Sequence, residues 1–182
     1  PSGSDELDRQ PIDEEPFSAF VFKTVADPYA GRLSIFRVVS GKLGSDGTLY
    51  NTNKETKERF NQLLAITGKE QKQINSAGPG AIVAVAKLKE TKTGDTLCAE
   101  TDKIKFTCAE PLPNLISYAV SPKSKGDEDK IFISLGKLLE EDTALKLKRN
   151  PETRQTILSG AGQIHVEMGV EKLKRKFNVD VA

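Results

Sequence analysis

"QTILSGAGQIHVEMGVEKLKRKF", residues 155–177, is the stretch where the hydrophobic period of the chain changes, and it holds the only histidine. Up to Gly160 the pattern is that of a strand; beyond Gly162 apolar residues recur at helical spacing. Projected at 100° per residue, Val166, Val170, Leu173 and Phe177 fall within about 60° of one another and form a core stripe. His165 lies off that stripe. Its own line runs through Gly169, Lys172 and Lys176, a cationic row with the imidazole at its N-terminal end and no carboxylate on the same line. Ile164 and Met168 point away from the core and are expected to cover an adjoining domain. Gly160 and Gly162 are expected to let the strand turn tightly into the helix.

The chemical readings of His165 narrow quickly. A Ser/His/Asp arrangement needs an acid to orient the base and a nucleophile within reach, and only Ser159 and Glu167 stand nearby, without a nucleophile-elbow pattern. "GAGQIH" departs from G-x-G-x-x-G at its sixth residue and has no acidic ribose partner after it. Cys98, Cys108 and one histidine fall short of a zinc ligand set, and both thiols read as buried or half-buried in a reducing compartment. Two readings of His165 stay open on the residues alone: a solvated ring at a helix start, or a contact at an interface.

Outward from this stretch, "ALKLKRNPETRQTILSG" reads as two strands around an Asn-Pro turn, with Leu145 and Leu147 facing away from Lys146 and Lys148. "DEDKIFISLGKLLEED" is a helix with Ile131, Leu135, Leu138 and Asp142 on one line, widened by Phe132 and Leu139. Asp127 is placed to cap it, and Glu128 and Asp129 suit its positive end. Its other end, Glu140 to Asp142, is acidic where the helix dipole prefers cations, and nothing local accounts for that. With "LISYAVSP" before and "NVDVA" after, the order is βαββαβ, a ferredoxin-like α+β domain whose final strand is cut short.

The first half of the chain has the other period. "FSAFVFKTV" and "RLSIFRVVS" are rich in β-branched and aromatic residues, and turn signals recur at "DPYAG", "VSGK", "GSDG", "AGPG" and "KTGD". Short strands between such turns predict a β-barrel. In "RLSIFRVVS" Leu33, Ile35 and Val39 share one face, yet Phe36 and Val38 make the other apolar too, which predicts a strand buried on both sides or covered by a neighbouring domain. Arg37 and Arg59 are the barrel cations that stand alone as candidate contacts. "CAEPLPNL", with its two prolines, marks the boundary. The expected domains are therefore an acidic linker over 1–14, a barrel over 15–110 and the α+β domain over 111–182.

Charge and length set outer limits. The 182 residues hold 37% hydrophobic side chains and a net charge of +1. Residues 1–16 carry six acids against Arg9, whereas 17–111 hold 14 basic and 10 acidic side chains and 112–182 hold 12 and 10. The opening stretch has too few apolar residues to offset the entropy of ordering and reads as a linker. The body is mildly basic, which permits an RNA-rich partner. No run of about 18 apolar residues and no signal sequence occurs, so no membrane role and a cytoplasmic location are expected. A start at Pro1, with the only methionine at Met168, reads as an excised fragment.

Two blocks of residues carry a resemblance. "EEPFSAFVFKTVADPYAGRLSIFRVVSGKLGSDGTLYN", "KERFNQLLAI" and "TKTGDTLC" are similar to the second domain of bacterial elongation factor G. "AVSPKSKGDEDKIFISLGKLLEEDTALKL" and the stretch quoted first resemble its third domain. The resemblance implies a translational GTPase acting in translocation or ribosome recycling, with GTP and magnesium bound by a domain of the parent that this chain lacks, since it has no G-x-x-x-x-G-K-[ST]. No catalysis is expected of the chain alone. The implied partners are the ribosome, through small-subunit rRNA at the barrel and a small-subunit protein at the third domain, and the parent's own GTPase domain. "SGAGQIHVE" is similar to the family's strand-to-helix turn, usually Gly-Met-Gly-Glu-Leu-His. Gly160, Gly162 and His165 match it, and His165 corresponds to a residue beside the pocket where fusidic acid binds in the family. The departures, among them "SKGDEDK" and Gly169, suggest an elongation-factor-G-like paralogue. The ribosome or interdomain contact residues expected from this are Arg37, Arg59, Gly160, Gly162, His165, Lys172 and Lys176. The competing classes are a ribosomal protection GTPase and a self-contained RNA reader; the latter needs aromatic residues on its sheet, where Tyr118, Phe132 and Phe177 are the ones available and two of these read as helix core.

Overall fold

The computed structural model describes residues 7–27, 31–68, 70–121 and 128–181. The chain divides into two compact units, Pro1–Ala109 and Glu110–Ala182. The "DPYAG" turn falls partly outside the described residues, as does the proposed cap Asp127.

Unit 1 is a curled antiparallel sheet. Its strands are β1 (Ser18–Asp27), β2 (Gly31–Ser40), β4 (Gly47–Asn51), β5 (Thr56–Phe60), β6 (Leu63–Thr67), β7 (Glu70–Ile74), β9 (Ile82–Ala86) and β10 (Thr96–Cys98). They lie in the order β5-β4-β10-β1-β2-β9-β6-β7, and a separate pair joins β3 (Leu43–Gly44) to β8 (Ser76–Ala77). Alternation along the strands sends Ala19, Val21, Phe36, Val38, Leu49, Phe60, Leu63, Val83, Val85 and Leu97 into one barrel core. The double-sided strand finds its explanation within the unit itself. Leu33 and Ile35 leave β2 on the opposite face and pack with Leu64, Ile66, Ala84 and Ala86 of β6 and β9.

Residues 7–16 of the acidic arm are tied to unit 1, contrary to the expectation of a free linker from its composition. Electrostatics and backbone bonds replace the missing apolar burial. The Arg9 guanidinium, only 10% exposed, donates to Asp102 at 2.5 Å and to Glu15 at 3.3 Å, and the bond to Asp102 above all raises its pKa. Gly41 N–H donates to Ile12 O at 2.9 Å. Gly41 sits at φ +70 with Glu15 O and Phe17 N within 2.6 Å of where a Cβ would be, so only glycine admits the arm here.

One buried acid organises the loop after β9. Glu58 on β5 is 7% exposed and accepts N–H bonds from Lys89, from Glu90 at 3.2 Å and from Thr91 at 2.8 Å, with the Thr91 hydroxyl at 2.5 Å. Asp95 closes the loop by accepting from Asn51 at 2.9 Å and from Lys92 N–H at 2.8 Å.

Unit 2 comprises β11 (Ile116–Val120), α1 (Glu128–Glu141), β12 (Lys146–Arg149), β13 (Thr156–Gly160) and α2 (Gln163–Phe177), with a single bridge residue at Val181 where the cut-short strand was expected. The sheet order β11-β13-β12 is that of the first three strands of a ferredoxin-like domain. Ile131, Leu135, Leu138, Leu145, Leu158, Val166 and Leu173 fill the core, with Val170 and Phe177 packed at its edge. Phe132, read as part of the helix core, is instead 56% exposed beside Ile133, because it lies past the edge of the stripe that meets the sheet. Asn150 Oδ1 accepts N–H bonds from Glu152 and Thr153, the local reason that the Asn-Pro pair turns the chain.

Glu58→Gln replaces one of the two acceptor oxygens by an NH2 donor that faces N–H groups of the 89–91 stretch, of which the Thr91 amide is buried. Amide exchange at Lys89, Glu90 and Thr91 is expected to accelerate on the order of 10-fold and the barrel to lose about 1–3 kcal/mol in denaturant unfolding. Exposed Arg59→Ala next to it should change stability by less than about 0.5 kcal/mol. Unaltered exchange in the Glu58 variant would contradict the anchoring role.

Candidate functional site

The strand-to-helix turn at Gly160 brings His165 against the end of α1. His165 Nδ1 accepts the Ala161 N–H at 3.1 Å, and Nε2 lies 3.0 Å from Asp142 Oδ2. A ring nitrogen that accepts carries no proton, so the ring proton resides on Nε2 and is donated to Asp142. The acid missing from His165's own helical line is thus supplied by α1, 23 residues earlier. Both side chains are three-quarters buried, at 25% and 24% exposure. Asp142 Oδ1 also accepts the Ala144 N–H at 3.2 Å, which fixes the carboxylate at the helix end.

This pairing accounts for the acidic end of α1. Glu141 meets Lys176 at 2.6 Å and Asp142 meets His165, so α2 supplies the partners that the helix dipole would otherwise call for. Between them, a Cβ on Gly169 would come within 3.1 Å of Leu145 Cδ1 and 3.6 Å of Leu138 Cδ2, so this position also faces the α1 side. Lys172 is half-buried. The cationic row of α2 thus meets the end of α1 at His165 and at Lys176.

The two glycines of the turn differ. Gly160 needs to be glycine on packing grounds: an added Cβ would meet Val166 Cγ2 at 2.8 Å, His165 Nδ1 at 3.1 Å and Leu145 Cδ2 at 3.3 Å. Gly162, the residue before α2, has φ −173 and ψ 172, an extended conformation open to any residue, and no atom within 4 Å of its Cβ position. Its expected role in tightening the turn therefore does not hold. Ile164 and Met168 are 76% and 43% exposed.

In unit 1, Arg37 and Arg59 are both exposed, on β2 and on β5 at the sheet's end. Cys98 is buried and Cys108 exposed, so the two thiols are not alike. Glu58 did not stand out in the sequence and Asp142 did so only as part of an acidic helix end with no local partner, because each acts on partners more than 20 residues away. Among the described residues no cluster of three His, Cys, Asp or Glu side chains is placed to hold a metal ion, and no helix is long and apolar enough to cross a membrane.

The arrangement is that of a barrel and an α+β unit built from the parts of a translation factor. Residues 16–100 match the family Elongation factor G domain 2, and residues 111–182 match Elongation Factor G, domain III. A protein of Thermus thermophilus with a solved crystal structure superposes with a TM-score of 0.81 at 29% identity, over 92% of this chain and 25% of its own. The chain belongs to the elongation factor G family and carries its second and third domains. It spans a quarter of the length of the Thermus protein.

Gly160→Ala is expected to cost unit 2 about 1–3 kcal/mol through overpacking. Gly162→Ser, which adds a capping hydroxyl in open space, should leave stability unchanged or raise it by a few tenths of a kcal/mol. Thermal unfolding of the two variants checks both; equal losses would show that the turn itself, and not the contact with Val166 and His165, demands glycine.

Proposed function

We propose that the chain is the non-catalytic, ribosome-engaging part of a translational GTPase that works in translocation or ribosome recycling. The observation that carries this reading is the succession of the two family matches along one chain, each over a separate unit. GTP and magnesium belong, on this reading, to the GTPase domain of the parent protein. The residues here offer neither a phosphate loop in the sequence nor a ligand cluster among the described residues, and no hydrolytic step is assigned to them. The work takes place on ribosomes, in the cytoplasm.

The barrel's task is contact with small-subunit rRNA, for which Arg37 and Arg59 present unburied guanidinium groups. Unit 2's task is to pass nucleotide state between the GTPase domain and the small subunit. His165 suits that task as a positioning residue: it ties the end of α1 to the start of α2, so a push on either helix is felt at both. Its exposed neighbours Ile164 and Met168 suit contact with the rest of the parent.

Binding of the chain to purified small ribosomal subunits tests the reading. The chain should bind at low salt, and Arg37→Gln with Arg59→Gln should make the log–log salt dependence shallower by about 1–2 units. In the full-length parent, His165→Ala should lower ribosome-stimulated GTP hydrolysis at limiting ribosome concentration and also cost about 1–2 kcal/mol of stability through the lost bonds. No binding by the chain at low salt would reject the ribosomal reading. Unchanged hydrolysis would reject the relay role of His165.

A further inference from the structure

The sheet of unit 2 has one face against its helices and one face open. Leu147, Leu158 and Val120 point into the core, so the alternate residues of the same strands point away from it. Register places these in two rows across three strands: Lys146, Ser159 and Ser117 in one, Lys148, Ile157 and Ala119 in the other. Lys146, Lys148, Ser117 and Ala119 are exposed, and Ile157 and Ser159 half-buried. A shallow cleft of about 390 Å³ runs over this face, lined by Ser117, Ser159, Lys148, Ile157 and the Asn150–Glu152 turn.

The chemistry of this face favours phosphate. The β12–β13 hairpin carries Lys146, Lys148, Arg149 and Arg154 against one acid, Glu152. Among the described residues none of these four cations forms an ion pair. On α2, by contrast, Lys174 is paired with Asp180 and Lys176 with Glu141. The Ser117 and Ser159 hydroxyls lie 2.7 Å apart, so one proton is used between them and the other is left to donate outward. Arg154 is held at φ 58 where the hairpin closes, with the Asn150 N–H donating to Gln155 O at 2.9 Å, and its side chain is exposed. No aromatic residue belongs to either row, which argues against base stacking and for contact with the backbone.

We infer that this open face and its hairpin form a second RNA-contact surface, which grips the phosphate backbone of ribosomal RNA without reading its sequence. The inference rests on the ribosomal reading above and adds an RNA contact to the unit for which family resemblance implies a protein one. Lys146 and Lys148 lie about 7 Å apart along β12 and reach adjacent phosphates, while Arg154 and the paired serines take oxygens further along.

The test compares variants of the whole chain in binding to purified small ribosomal subunits and to protein-free small-subunit rRNA over a salt series. Lys146→Gln, Lys148→Gln and Arg154→Gln together should weaken binding to both probes on the order of 10-fold at low salt and make the log–log slope shallower by about 2–3 units. Lys174→Gln, whose ammonium is paired with Asp180, should change affinity less than about 3-fold. Arg154→Gly alone should weaken binding while leaving the thermal midpoint unchanged or higher, which separates lost contact from lost folding. Wild-type binding that survives the triple variant overturns this surface and leaves the ribosomal reading standing. Weaker binding to subunits with unchanged binding to free rRNA and an unchanged slope overturns it in favour of a protein partner. No binding by the wild-type chain rejects both proposals.

Discussion

The bond pair at His165 is the constraint around which unit 2 is arranged. One ring nitrogen takes the first free N–H after β13 and the other gives its proton to the carboxylate at the end of α1. This can happen only if α2 starts close under the end of the central strand β13, and Gly160 admits that approach by leaving out a Cβ. Gly169 then lets α2 run near Leu138 and Leu145, and Lys176 reaches Glu141. A histidine that looked like a surface feature of one helix is a strut between two.

The strut also redistributes charge. Two of the four cations of α2, Lys174 and Lys176, meet Asp180 and Glu141, whereas among the described residues the cations of the β12–β13 hairpin form no ion pair. Net charge alone could not have shown this, since +1 over the chain says nothing of which lysines already have a carboxylate beside them. On the ribosomal reading proposed above, the sorting of cations into paired and unpaired sets decides where RNA can lie.

Much of the architecture was legible because period is a local property. The Val166, Leu173 stripe and the Leu145/Lys146 alternation mark helix and strand from a few residues each, and the paired prolines of "CAEPLPNL" interrupt both. What escaped is tertiary. Asp142 meets His165 through the fold, Glu58 meets the 89–91 amides across 31–33 residues, and no periodicity joins such pairs. The arm's attachment escaped for a related reason: one shielded Arg9 with two carboxylates holds what apolar composition could not. Gly162 was misread because its neighbour Gly160 needs glycine and adjacency in sequence made the two look alike. Phe132 shows the limit of helical projection, which orders residues around an axis without saying how wide the buried sector is.

The single histidine makes the central claim open to one direct observation, the tautomer of His165 by nitrogen NMR of a histidine-labelled chain at alkaline pH. The account predicts one state with the proton on Nε2, and a change in that signal when Asp142 becomes Asn. A proton on Nδ1, or rapid averaging between the two tautomers as in a solvated ring, would contradict it.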